Sequence, residues 1–281
     1  MNFKSMIAIA LAFSALAACK QNPDKLFTEA STAFTEERYE QAIPIYEQLL
    51  ADQFSNPNLY AKLGISYAYT GSYEKCTEFI QRAFKENVDY FELYEMITFC
   101  YERQKKEAEA MEWYKKGIDK YPDRYEFKNT AALLAFRMKD PQLALDWFGE
   151  LADKNPKNVD WNYNAGTVSE HLEKYDAAER YYRRVLEQKP KYANASFGLG
   201  SIFEKQNQLD IAKGYYEKTL KADPDHLSAL LNLAQLEQKT EPKQSLTHWK
   251  QYLALAEKRK QPQKFLDQAK KQIKLLEGGT K

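Results

Sequence analysis

From residue 23 onward the apolar positions fall into columns spaced 34 residues apart. One small-residue column runs Gly64, Thr98, Ala132, Gly166, Gly200, Ala234. A second runs Ala42, Cys76, Ala110, Ala144, Ala178, Ala212 and, extended by one period, reaches Leu246. A bulky column runs Tyr46, Ile80, Tyr114, Phe148, Tyr182, Tyr216, and prolines stand at 122, 156, 190 and 224. A fixed period of this length marks a stack of repeated supersecondary units. Within one period the pattern predicts two helices, seen most clearly at Ala195–Gln206 and Leu209–Ala222, with Asn207-Gln208 as the turn and Asp223-Pro224 as the stop. Gly200 and Ala212 let the two backbones approach, and Leu199, Phe203 and Tyr216 fill the space around them. The pairs Asn22-Pro23, Asn56-Pro57 and Asp140-Pro141 read as a cap followed by a first helical turn.

Seven units follow, at about 23–56, 57–90, 91–124, 125–158, 159–192, 193–226 and 227–260, read as one continuous body. The first lacks the terminal proline and carries Pro44 inside its second helix, where a bend is expected. The seventh places Leu246 in the small slot, which suits a terminal repeat that packs differently. Beyond it, residues 261–277 include Gln263–Glu277, with Phe265, Leu266, Ala269, Ile273 and Leu276 on one face; this predicts a capping helix over the last repeat, before a tail at 278–281.

Leu199-Gly200, Tyr175-Asp176-Ala177-Ala178-Glu179-Arg180-Tyr181-Tyr182 and Ala222-Asp223-Pro224 resemble the tetratricopeptide repeat. The resemblance covers nearly everything after residue 22. It implies an all-α fold: a right-handed superhelical solenoid of about seven helix pairs plus a C-terminal capping helix. It also implies a binding role, because in this family the first helices line a concave face that holds partners.

The N-terminus follows a different pattern. Met1–Ser5 carries Lys4, and residues 6–16 (MIAIALAFSAL) are apolar or small without interruption. This is the layout of a signal peptide, and it is too short to span a bilayer. Leu16-Ala17-Ala18-Cys19 is similar to the lipobox of bacterial lipoproteins. That resemblance implies cleavage after residue 18, acylation of Cys19, and a short lipidated tether at 19–22. Lys20, rather than Asp, after the cysteine leans towards the outer membrane, facing the periplasm. From Cys19 to Asp24 the chain reaches roughly 18 Å when extended, so the first repeat is expected to stay close to the membrane.

Composition adds exclusions. Net charge is +1, which gives no reason to expect nucleic acid. The 20 Tyr and 15 Phe against 10 Gly and 10 Pro favour long helices over strands and turns. His171, His226 and His248 stand apart from other ligand types, so no metal site is expected, and no cofactor. Phe197-Gly198-Leu199-Gly200 has the look of a Gly-rich loop but falls within a helix, so packing is the better reading. No nucleophile and base pair up, and an enzyme is not expected. Cys76 is either a buried thiol standing in for alanine or one half of a bridge to Cys100 in the next repeat; the sequence leaves both open.

A partner-binding groove is expected on the first-helix face that the packing columns leave unused: Tyr69, Phe99, Arg103, Asn129, Phe136, Arg137, Tyr163 and Phe197, with Glu102, Glu170 and Lys205 around them. Aromatics flanked by mixed charge suit an extended peptide or a partner helix; alternatively the rings pack between neighbouring first helices. The Lys/Asn/Arg set of the family's carboxylate clamp is absent. At the C-terminus Lys258, Arg259, Lys260, Lys264, Lys270, Lys271, Lys274 and Lys281 stand against Glu257, Asp267 and Glu277, either as a solvated cap face or as a contact for acidic groups or lipid heads. The expected function is that of a membrane-anchored periplasmic scaffold binding protein partners. It resembles the adaptor lipoproteins of pilus-secretin, peptidoglycan-hydrolase and, more loosely, β-barrel assembly. The alternative is a protein holding envelope glycans or a small ligand in its aromatic groove.

Overall fold

The structure is a computed structural model that describes residues 22–279; the expected signal peptide, Cys19 and the last two residues lie outside them. The described residues form fifteen α-helices and no strand, so the fold is all-α as expected. They are α1 Pro23–Thr35, α2 Tyr39–Ala51, α3 Pro57–Tyr69, α4 Tyr73–Lys85, α5 Phe91–Arg103, α6 Glu107–Lys120, α7 Tyr125–Arg137, α8 Pro141–Lys154, α9 Val159–His171, α10 Tyr175–Gln188, α11 Ala193–Lys205, α12 Leu209–Ala222, α13 Leu227–Leu236, α14 Pro242–Lys258 and α15 Gln263–Gly279. The capping helix therefore runs to Gly279 instead of stopping at 277.

The helices group into two compact units, the first ending at Phe127 and the second starting at Lys128, inside α7. The repeat period runs straight through this division, so the residue pattern carries no mark of it. In the first unit α1 packs on α2, α3 on α4 and α5 on α6, while the first helices α1, α3 and α5 contact one another in order. In the second unit α9 packs on α10, α11 on α12, α13 on α14 and α14 on α15, with α9 beside α11.

The columns explain these contacts. A Cβ on Gly64 would stand 2.7 Å from the Ile80 side chain, and one on Gly200 would stand 2.5 Å from the Tyr216 ring. Each first helix thus lies directly on the bulky residue of its second helix. That residue is buried in Tyr46, Ile80, Tyr114, Phe148, Tyr182 and Tyr216 alike. The predicted caps form: Asn22, Asn56 and Asp140 accept from the backbone N–H of Asp24, Asn58 and Leu143 at 2.9, 3.0 and 3.1 Å. Pro44 does not end α2, which continues to Ala51. It sits on the exposed side of the helix, where water can serve the Glu40 carbonyl that it leaves without a donor.

The seventh repeat differs from its expected register. Ser245, not Leu246, fills the small slot: it is fully buried and its hydroxyl donates to the Ala234 carbonyl at 2.6 Å. Trp249 takes the place of the bulky residue. The first helix is three residues shorter here and the connection after it two residues longer, so the second helix begins one residue early and the side chains of α14 move back by one. Buried Glu237 fixes this junction, lying 2.7 Å from His248 Nδ1 and 3.5 Å from Lys213 Nζ.

A feature invisible in the residue columns is the backbone of the turn. Glu37, Gly71, Lys105, Lys139, Glu173 and Asn207, each 34 after the last, all have positive φ between 57° and 80°. The left-handed residue lets the following N–H reach back over the helix end, as Lys174 N–H does to the Ser169 carbonyl at 2.9 Å. Only Gly71 and Asn207 favour this conformation by type. Replacing exposed Glu173 by glycine should therefore stabilise the protein by about 0.5–1 kcal/mol, since a side chain in this region costs about 1–2 kcal/mol and the flexible unfolded glycine returns part of it. Urea melts of Glu173→Gly and the parent test this; an equal or lower midpoint contradicts it.

Cys76 on α4 and Cys100 on α5 are joined by a disulfide, with Cα atoms 6.5 Å apart. Of the two readings the sequence left open, the structure takes the bridge. Both residues are fully buried.

Candidate protein-binding face

In the first unit, the first-helix face carries three of the residues singled out in the sequence. Tyr69, at the end of α3, is 57% exposed and stacks on Tyr39 with ring centroids 4.5 Å apart and planes 5° from parallel. Phe99 on α5 is 42% exposed and meets the edge of Tyr73 at 5.8 Å. One period after Tyr69, the Arg103 guanidinium lies 5.7 Å over Phe99 and 5.6 Å over Tyr73, and its Nε donates to the Tyr73 hydroxyl at 3.3 Å. Stacking on neighbours costs these groups rotamer freedom in advance, so a partner meets a rigid aromatic and cationic surface. Tyr39 and Tyr73, the first residues of α2 and α4, hold the surface in place and were not foreseen. They too stand 34 apart, and that spacing was the signal that could have found them.

Beside this surface Glu95 has its carboxyl pKa raised, chiefly by burial, with Arg124 opposing and Glu92 adding. Lys62 has its pKa lowered, again by burial first; its ammonium lies 4.5 Å over the Phe34 ring.

In the second unit the other named residues are less open. Tyr163 packs against Tyr192 at 5.3 Å and Tyr182 at 5.9 Å, and Phe197 against His226 at 4.8 Å and Tyr216 at 5.5 Å. Both rings are half-buried against the core cluster around Tyr182 and Tyr216. Phe136 sets its ring edge against His171 at 5.4 Å, and Arg137 is exposed at the end of α7. The Asn129 Oδ1 is buried, and no described donor reaches it.

Between these rings lies a polar ladder. Glu170 on α9 accepts from the Tyr182 hydroxyl at 2.9 Å and from Ser201 at 2.6 Å; Glu204 on α11 accepts from the Tyr216 hydroxyl at 2.5 Å. Asn232 also donates to the Tyr216 oxygen at 2.9 Å. Both tyrosine pKa values are pushed up, by burial first and then by the neighbouring glutamate. These tyrosines stay protonated and serve as donors that orient the carboxylates.

His226 caps α13: its Nδ1 accepts from the Ala229 N–H at 3.2 Å, which requires an unprotonated ring nitrogen. Burial, with a further contribution from Arg259, lowers its pKa below the ordinary 6.5, against the pull of Asp223. A His with a depressed folded pKa gives stability that is complete above the unfolded value and is lost as pH falls through the folded one. Thermal stability should therefore drop as pH falls below about 6.5. His226→Asn, which keeps a capping acceptor without titrating, should flatten that part of the curve; an unchanged pH dependence contradicts the assignment.

Among the described residues no group of three or more His, Cys, Asp or Glu is placed to hold a metal, and no helix is long and apolar enough to cross a membrane. A cavity of about 570 Å³ opens between α12 and α14 over Leu220, Leu230 and Leu255.

Comparisons with known proteins agree with this arrangement. Two tetratricopeptide-repeat family models match residues 129–193 and 169–236. No curated protein matches the chain in sequence. The C-terminal part of a TPR repeat-containing protein from Cytophaga hutchinsonii superposes with a TM-score of 0.65 at 18% identity, over 86% of this chain and 98% of that one. MamA superposes at 0.55 and 19% identity, over 59% of this chain and 98% of its own. YrrB, described as a TPR protein with an unusual peptide-binding site, superposes at 0.56 and 17% identity, over 66% of this chain and 96% of its own. Residues 129–236 thus match the tetratricopeptide repeat, and the described helix pairs have the fold of solved tetratricopeptide-repeat proteins.

Proposed function

We propose that this protein is a lipid-anchored adaptor of the bacterial cell envelope, held by an acylated Cys19 in the outer membrane and facing the periplasm. There its first-helix face binds an extended peptide or a helix of partner proteins and assists the assembly of an envelope complex, of the pilus-secretin or peptidoglycan-hydrolase kind. The observation that carries the partner reading is the exposed Tyr69, Phe99 and Arg103 surface, fixed by Tyr39 and Tyr73. The peptide-binding description of YrrB, which shares this fold, supports a polypeptide as the occupant. Anchoring rests on Leu16-Ala17-Ala18-Cys19. The buried Cys76–Cys100 disulfide favours an oxidising compartment, where such bonds persist. A glycan in the groove is less favoured, because Tyr163 and Phe197 spend their faces on the protein's own rings.

Affinity capture from detergent-solubilised envelopes tests this reading. Specific envelope proteins should be retained by the parent and lost with Tyr69→Ala, Phe99→Ala and Arg103→Ala combined. Recovery of no envelope protein above background would sink it.

A further inference from the structure

We propose that the outer face of the terminal helix α15 docks onto an anionic lipid bilayer. One side of α15 is spent on the fold: Leu266, Ala269 and Leu276 are buried against α14 residues including Trp249, Tyr252 and Leu255. Its flanks are tied down by Lys270 to Glu257 at 3.2 Å and by Glu277 to Lys250 at 2.8 Å. The opposite side faces solvent and carries Lys264, Lys271 and Lys274, spaced so that all three share that side of the helix. None of the three has a carboxylate partner among the described residues; Lys264 lies only over the Phe265 ring, at 4.8 Å. Asp267, the one acid between them, is engaged by Gln263 at 2.8 Å.

The charge is concentrated at this end. Between residues 257 and 279 seven cations stand against three acids, in a chain whose net charge is only +1. Lys258 and Lys260, exposed in and after the last turn of α14, add to the same end. Leu275, 56% exposed, sits among the lysines, where an isolated soluble surface gains nothing from it.

Charge complementarity calls for an anionic partner, and the form of the face favours a bilayer. It is the convex side of a single helix whose backbone donors are already bonded, so it gives a peptide little to pair with. A plane of lipid heads accepts long lysine stems from above while Leu275 enters the interface. The inference stands on α15 alone and does not require the Cys19 anchor.

The test uses the full chain in a Cys19→Ser background, so that Leu275→Cys supplies the only free thiol for an environment-sensitive dye. Vesicles of phosphatidylcholine mixed with phosphatidylglycerol should shift the dye emission to the blue, and phosphatidylcholine alone should not. Each lysine near an anionic surface contributes about 1 kcal/mol, so Lys264→Glu, Lys271→Glu and Lys274→Glu together should raise the half-saturating lipid concentration at least about a hundredfold. High salt should weaken the unmutated face in the same direction. No shift on the anionic vesicles, or the same shift in the charge-reversed variant, overturns the proposal. So does a response to soluble polyglutamate but not to vesicles, which would assign the face to an acidic polypeptide.

Discussion

Replacing Cys76 and Cys100 together by alanine should cost the first unit about 3.5 kcal/mol. The bond joins residues 24 apart, and closing a loop of that length removes entropy from the unfolded chain worth about that much. The choice of alanine matters. Cys76 occupies the small slot that alanine fills at Ala42, Ala110, Ala144, Ala178 and Ala212, so Cys76→Ala removes the cross-link without opening the helix pair. Hydrogen exchange resolved by helix, with and without urea, is the suitable readout, because two compact units need not unfold together. Protection of α4 and α5 should fall while that of α11 and α12 stays unchanged. A loss below about 1 kcal/mol would mean that the interlocking helices already hold the loop closed in the unfolded ensemble.

Gly198→Ala should destabilise the second unit by about 1–3 kcal/mol. The Tyr182 ring lies between Gly166 on α9 and Gly198 on α11. A Cβ at 198 would stand 2.4 Å from its Cε2 and 2.6 Å from its Cζ. The ring has nowhere to go: it is buried, and its hydroxyl is held by Glu170. Gly214→Ala on α12 is the natural control. Nothing lies within 4 Å of a Cβ there, so the same chemical change in an open helix position should stabilise, by up to about 1 kcal/mol from helix propensity. Opposite signs for the two variants are expected in differential scanning calorimetry. Equal signs would show that close packing against Tyr182 is not what selects glycine at 198.

The period of 34 made the helix pairs legible because each column is a contact. Glycine at 64, 166 and 200 and bulk at 80, 182 and 216 are two sides of one interface. The caps were legible for a similar reason, since Asn-Pro and Asp-Pro act locally. What stayed hidden depends on backbone or on neighbours outside the column. The left-handed turn recurs with the same period, but Glu37, Lys105, Lys139 and Glu173 adopt it without any residue-type signal, because the helix ends on either side impose it. The seventh repeat lost its register because its first helix ends three residues early and the connection makes up only two of them, and counting in steps of 34 cannot detect that. The site was legible only in part. Tyr69, Phe99 and Arg103 present themselves as a surface, whereas Tyr163 and Phe197 occupy equivalent helices and are drawn onto Tyr192 and His226. Tyr163 and Phe197 stand one turn earlier in the repeat than Phe99, at a position that packs on Tyr192 and His226.

The first-helix face of the first unit is proposed to receive a polypeptide. Site-specific photocrosslinking in growing cells tests it most directly, with benzoylphenylalanine placed at Phe99 and, separately, at exposed Glu109 on second helix α6. The account predicts a discrete covalent adduct with an envelope protein from position 99 and none from 109. Adducts from 109 alone, or none from either position in cells that make the protein, would contradict it.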